Sequence, residues 1–190
     1  MAESESLKNH LLIAMPSLRD PNFSGTVVYI VGHDEQGARG FVVNRRTALR
    51  LSDVLERSKI PLEDPSRLED FVYVGGPVSP ERGAVLHEPA GKYMLSENVA
   101  DGVTLTLSRD VLGDLGRGKG PGKRIFLLGY AGWLPGQLEA EIATGSWLTV
   151  PATPGLLFDV PPEDRFDRAL SLLGISRAQL EAAEWQAGHA

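Results

Sequence analysis

The apolar residues of this chain come in short runs, broken by glycine, proline and charge. Residues 11–14 predict a short buried strand, and residues 15–21, with two prolines, a turn-rich segment. Residues 25–33 are rich in Val, Ile and Tyr and predict a second strand. Asp34-Glu-Gln-Gly37 has hairpin-loop chemistry, so residues 38–44 should pair back antiparallel. Residues 71–74 and 83–87 predict two more strands, joined by Gly75-Gly-Pro-Val-Ser-Pro80. A further strand pair is expected around residues 92–95 and 103–107. Residues 124–129 form a continuous apolar run that suits a central strand. Residues 147–150 and 156–158 complete the predicted strands.

Helices are fewer. Ser52 is placed to cap one through Arg57, and Ser108 to cap another with Val111, Leu112 and Leu115 as its stripe and Gly116 at its end. Pro135 suits the first position of a third, with Leu134, Leu138 and Ile142 four apart on its buried face. Residues 163–173 read as an amphipathic helix stopped by Gly174, and Ser176 with Gln179 forms a capping box for the last one. Strands outnumber helices and come partly in hairpins, which argues for an α+β fold with a mixed or antiparallel sheet. A length of 190 residues fits a single domain spanning 1–190. Residues 1–9 are expected to be a flexible N-terminus, and residues 176–190 a C-terminal helix and tail.

Composition narrows the chemistry. The chain has no cysteine, which removes disulfides, thiolate catalysis and cysteine-ligated zinc. No run approaches the length of a membrane span, and the acidic N-terminal residues Glu3 and Glu5 do not resemble a signal peptide; a cytoplasmic protein is expected. The net charge of −6 opposes nucleic-acid binding, which draws on a basic excess. The one candidate patch is Arg117, Lys119, Lys123 and Arg124, in a glycine-rich loop without an interleaved aromatic.

Four polar residues are candidates for a ligand site: His33, Asn44, Arg82 and His87. His33 and Asn44 would use an imidazole and an amide if the hairpin brought them to one end. The competing reading has them satisfying strand-end backbone groups, which such residues do routinely. His87 could shuttle protons beside a carboxylate, or sit buried and hydrogen-bonded in a strand. The four histidines show no metal-ligand spacing, so no metal is expected. Gly75 and Gly76 lack the remainder of a phosphate loop or dinucleotide fingerprint, so no cofactor is expected either. No serine has the context of a nucleophile elbow, and no catalytic residue is assigned.

The most distinctive stretch runs from Gly129 to Leu148 and joins Tyr130, Trp133 and Trp147 to one short helix carrying Gln137 and Glu141. Gln137 and Glu141 lie four apart and share a helix face. Glu141 could be a general base with Gln137 as a substrate donor. The structural alternative, which we prefer, uses them to satisfy the glycine-rich turn and the buried indoles.

Taken in order, these blocks resemble the YqgE/AlgH family. The similarity begins with Leu11-Leu-Ile-Ala-Met-Pro16 and Asp20-Pro-Asn-Phe23. It continues through Val27-Val-Tyr-Ile30 to His33, Gly37-Ala-Arg-Gly40 and Val43-Asn44. Gly75-Gly-Pro-Val78, Arg82-Gly83, Leu86-His87 and Ser108-Arg-Asp-Val-Leu112 follow, then the stretch from Gly129 and Pro151-Ala152. Two departures stand out. Arg46 replaces a proline common in the family, and Glu184-Trp185-Gln186 precedes Gly188-His189 unusually. The resemblance implies a bent, barrel-like mixed β-sheet with flanking short helices. It implies no established activity. Members are largely uncharacterised bacterial proteins, one of them historically labelled a transcriptional regulator.

The leading expectation is therefore a non-enzymatic regulatory or interaction protein with an unknown protein partner. A pocket built from His33, Asn44, Arg82 and His87 is the alternative, and direct DNA binding a third reading. An exposed sheet edge could also support an oligomer.

Overall fold

In the computed structural model the backbone is described for residues 5–64 and 68–188, and side chains as far as residue 183. Among these residues ten strands form one continuous mixed sheet in the order β10-β1-β2-β3-β9-β6-β8-β7, with β5 joining at β9 and β4 at β5. The strands are β1 His10–Ala14, β2 Val27–Asp34, β3 Gly37–Val42, β4 Arg46–Arg50, β5 Phe71–Val74, β6 Val78–His87, β7 Ser96–Ala100, β8 Val103–Thr106, β9 Arg124–Trp133 and β10 Trp147–Pro151. The helices are α1 Leu51–Arg57, α2 Asp110–Gly116, α3 Gln137–Ala143, α4 Pro154–Phe158, α5 Arg165–Ser171 and α6 Arg177–Gly188. The α+β fold, the mixed sheet and the curled half-barrel shape match expectation.

The apolar run at residues 124–129 is central, as its pattern implied. β9 extends it to Trp133 and pairs with three neighbours: antiparallel with β3 and β6, and parallel with β5. The sheet bends where these pairings change over. Gly75, Gly76 and Gly129 make that bend possible. A Cβ on Gly75 would lie 2.4 Å from the Gly129 carbonyl oxygen, and one on Gly76 would lie 2.2 Å from the Tyr130 carbonyl carbon. Gly129 has φ +78° and Gly76 φ +154°, both outside the range favoured by L side chains. The glycine pair is thus a backbone crossing.

The curl encloses the main core. Leu11, Ile13, Tyr29, Leu86, Leu105 and Leu127 are buried there, with Leu157 and Leu170 from the covering helices. Each fully buried Leu or Ile contributes about 2 kcal/mol by leaving water. A second cluster lies beneath α3 and contains Trp133 and Trp147, and a third packs α1 and α2 against the outer face.

Several sequence expectations are corrected. Residues 156–158 belong to a helix, because Thr153 Oγ1 accepts the Leu156 N–H at 3.3 Å and Pro154 occupies its first turn. Residues 92–95 are no strand: their polar groups are spent on Asp114, Asp110 and Ser108, and pairing begins at Ser96. Ser108 does not cap α2, since its hydroxyl donates to Asp110 Oδ1 and accepts the Leu95 N–H. Ser52 lies within α1, whose start is held instead by Asp53 accepting the Arg50 N–H at 3.0 Å. β4 had no counterpart among the predicted strands. The Ser176–Gln179 capping box is present, with bonds of 2.9 and 3.2 Å.

The expected flexible N-terminus is fastened from Ser6 onward. The Leu7 N–H donates to His33 Nδ1 at 2.8 Å, and the Asn9 N–H to the Ile30 carbonyl at 2.9 Å. The tail residue His189 lies outside the described residues. No helix among the described residues is long and apolar enough to cross a membrane.

Candidate functional site

The Gly129–Leu148 stretch is organised around one carboxylate. Trp133 Nε1 and Trp147 Nε1 each donate to Glu141 Oε1 at 3.0 Å, and Gln137 Nε2 donates to Glu141 Oε2 at 2.9 Å. Gln137 Oε1 accepts the Leu134 N–H at 2.9 Å. The indoles meet edge to face at 6.3 Å, and Phe23 packs against both. Glu141 thus completes the hydrogen bonding of two buried indoles and pins α3 to β9 and β10. Both of its oxygens are occupied by protein donors, and the Gln137 backbone contact falls on Leu134, beyond the glycine-rich turn at residues 129–132.

The four candidate ligand residues are not gathered into one pocket. In the β2–β3 register His33 pairs with Ala38 beside the hairpin turn, whereas Val28 pairs with Val42 at the far end. Asn44 follows that far end, so His33 and Asn44 sit at opposite ends of the hairpin. This corrects the expected convergence. The short Asp34–Gly37 turn puts His33 next to it, while all of β3 separates it from Asn44. Asn44 Oδ1 accepts the Val27 N–H at 2.9 Å and its Nδ2 donates to the Gly25 carbonyl at 3.0 Å. His87 is buried in the β6–β8 pair, with Nδ1 bonded to the Glu88 carbonyl at 2.6 Å and Nε2 to Thr106 Oγ1 at 2.7 Å. Burial holds its pKa below the usual histidine range, so the ring is neutral. Nδ1 then carries the proton toward Glu88, and the Thr106 hydroxyl donates to Nε2.

His33 is similarly engaged. Its Nδ1 accepts from Leu7, and its Nε2 is hydrogen-bonded to Glu139 Oε1 on α3. That bond holds the Glu139 carboxyl below its ordinary range. Both nitrogens of both histidines are occupied by protein groups, which leaves neither ring an open position for a substrate proton. Arg82 is different: it is exposed, and among the described residues it has no carboxylate within ion-pair distance.

The basic loop is largely neutralised. Arg117 pairs with Asp114 at 2.5 Å, Lys123 with Asp159 at 3.0 Å, and Arg124 makes a two-pronged pair with Asp70 at 3.0 Å. Lys119 is the remaining cation of that patch. No group of three or more metal-binding side chains occurs among the described residues.

Among several concavities in the described residues, two border His33 or Arg82. One is a groove of ≈ 550 Å³ beside the β2–β3 turn, lined by His33, Gly37, Tyr130, Trp133 and Leu134, with Val78 at its edge. Leu134 corrects an expectation: it is 73% exposed. The helix begins only after Gly136, whose φ of +76° closes the preceding turn, so Leu134 never joins the buried stripe. Leu138 does, and is buried. The other is a cleft of ≈ 400 Å³ at the open mouth of the half-barrel, containing Arg39 and Arg82.

The sequence reading missed Arg165, which is 4% exposed yet has no carboxylate partner among the described residues. It donates to the Val43 and Val160 carbonyls at 2.5 and 3.0 Å and lies over the Tyr73 ring. A signal was present, because Arg165 falls four before Ala169 on the Phe166/Ala169/Leu170 face. Arg45 was missed too; it clasps the carbonyls of Pro21, Asn22 and Ser24.

Comparison with known proteins agrees with this architecture. The family model described as AlgH-like (DUF179) matches residues 11–178. A UPF0301 protein of Chromobacterium violaceum is 45% identical over 188 residues, covering 99% of this chain and 100% of that protein. A second from Ralstonia nicotianae is 49% identical over 185 residues, covering 97% and 96%. The solution structure of the AlgH protein from Pseudomonas aeruginosa superposes with a TM-score of 0.79 at 45% identity, covering 96% of each chain. A Corynebacterium diphtheriae protein shares the fold, with a TM-score of 0.69 at 22% identity over 90% of each chain. The chain belongs to the AlgH-like family.

Proposed function

We propose that this AlgH-like chain is a non-enzymatic interaction protein of the bacterial cytoplasm, which acts in regulation by docking a protein partner on the groove beside Leu134. The observation that carries the proposal is the exposure of Leu134. A large apolar side chain stands 73% exposed at the rim of a groove, in the most distinctive segment of the chain. Val78, 38% exposed, adds apolar surface to the same groove. Places where a sequence pattern and the folded position disagree are where binding roles concentrate, and apolar surface exposed together around a groove marks interaction sites.

The histidine and carboxylate chemistry supports the same reading. His33, His87 and Glu141 direct their polar atoms to protein partners, so a general-base role would first require a structural bond to break. The ion pairs in the 117–124 loop weaken its case as a nucleic-acid contact.

The test is recovery of partners from the native bacterial cytoplasm by tagged wild type and tagged Leu134→Asp. Leu134 is too exposed for the change to unfold the chain, and thermal melts verify this. The proposal expects a stoichiometric partner whose recovery falls roughly tenfold in the variant, a size typical of an interface anchor. Equal recovery by both proteins refutes it.

A further inference from the structure

We infer that the mouth of the half-barrel is a binding site for a small apolar carboxylate, with Arg82 and Arg39 as its anion clamp. The cleft adjoins the Leu134 groove, with Arg39 and Tyr130 lining both, but the inference does not depend on the docking proposal. It arises from the curl. β7 is the terminal strand of the sheet and shares no ladder with β3, yet Arg39 on β3 reaches Glu97 on β7 at 3.5 Å. An ion pair thus spans a seam that the backbone leaves open. Beneath it lies the ≈ 400 Å³ cleft, within the range of small-molecule sites. Mouths of barrels are a favoured place for such sites.

The lining specifies the ligand. Val31 and Phe41 are buried on the β2–β3 side, and Leu95 and Leu107 wall the cleft with half or more of their surface unburied or nearly so, at 62% and 47% exposure. These surfaces suit a single ring or a short branched chain. Both arginines are solvent-facing, and only Arg39 has a carboxylate partner among the described residues. Guanidinium groups favour planar oxyanions through paired N–H donors. The internal arrangement already displays the chemistry: Glu97 holds a carboxylate against Arg39, with both side chains about half exposed, at 51% and 45%. Such a pair is weak and exchangeable in water. A ligand carboxylate would accept from Arg82 and displace Glu97 from Arg39, with its apolar body directed at Phe41 and the two leucines. A ligand with a single charge on an apolar body matches this lining better than a multiply charged phosphate, which would leave most of the apolar surface unused.

The competition with Glu97 gives the proposal a distinctive test. Titration of the full-length, ¹⁵N-labelled protein with 4-phenylbutyrate, followed by amide NMR, should shift the signals of Arg82, Gly83, Ala84, Gly129 and Tyr130. The neutral 4-phenylbutyramide should bind roughly tenfold more weakly, as should the acid to Arg82→Gln. Glu97→Gln should bind the acid roughly two- to threefold more tightly, because the internal competitor is gone. Both substituted residues are exposed, and unchanged signals away from the mouth establish that each variant is folded. The inference is overturned by equal binding of acid and amide, by shifts confined to another surface, by unchanged or weaker binding to Glu97→Gln, or by no binding at millimolar concentration. Tighter binding of a tetrapeptide ending in phenylalanine would reassign the mouth to a protein tail and likewise overturn it.

Discussion

Replacing Glu141 by alanine isolates the role of the carboxylate at the centre of the Trp133/Trp147 cluster. The substitution removes the acceptor of two indole N–H groups, each 3.0 Å away, from rings only 7% and 3% exposed. A buried donor left without an acceptor costs about 1–3 kcal/mol. Glu141 itself is half-buried, so water entering its space would recover part of that. The net expectation is about 2–4 kcal/mol of lost stability, once both indoles and that recovery are counted. For a chain of this size each kcal/mol lowers the melting temperature by roughly 2–4 °C, giving a drop of about 4–16 °C. Glu141→Gln retains one carbonyl oxygen for the indoles and should cost about 1 kcal/mol, the difference between a charged and a neutral acceptor. Urea unfolding followed by far-ultraviolet circular dichroism gives both values without relying on the perturbed tryptophans. A loss below about 0.5 kcal/mol for the alanine variant, or equal losses for the two variants, would refute the reasoning.

Other consequences follow from the same geometry. Burial lowers the His87 pKa, so the folded state keeps the ring neutral while the unfolded chain takes up a proton near pH 6.5; stability should fall as pH drops below about 6.5. His87→Gln should flatten that limb in urea titrations between about pH 5 and 8, and an unchanged slope would contradict it. Gly76→Ala places a Cβ 2.2 Å from the Tyr130 carbonyl carbon at φ +154°, and should cost more than about 3 kcal/mol; a near-wild-type melt would contradict the crossing. Replacing Arg117, Lys119 and Lys123 together by glutamine should leave duplex-DNA affinity, measured by fluorescence anisotropy at low salt, unchanged within about twofold; a steep loss would restore the loop as a nucleic-acid contact.

Much of the fold was legible because period and punctuation agree along the strands. The β2–β3 hairpin, the central position of β9 and the last helix's capping box all follow from local chemistry that the tertiary structure does not override. Residues 156–158 were misread because a short apolar run carries no period, and the deciding signal, Thr153-Pro154, lies just before it. β4 escaped notice because arginines flank its only apolar residues and its register is set by β5, distant in sequence. The role of Glu141 was legible from the i, i+4 spacing and the need of two indoles for an acceptor. Leu134 was misplaced because the four-residue stripe assumed a helix starting at Pro135, whereas Gly136 closes a turn first. The mouth cleft could not have been read from sequence, since Arg39, Arg82, Leu95 and Leu107 meet only through the curl of the whole sheet.

The central claim, that the protein works by docking a partner on the Leu134 groove, is tested most directly by crosslinking in living cells. A photoreactive amino acid would be placed at Leu134 and, as a control, at Ala178, which is exposed on α6. The account predicts one discrete crosslinked protein from position 134 and none from position 178. The same products from both positions, or none from position 134, would contradict it.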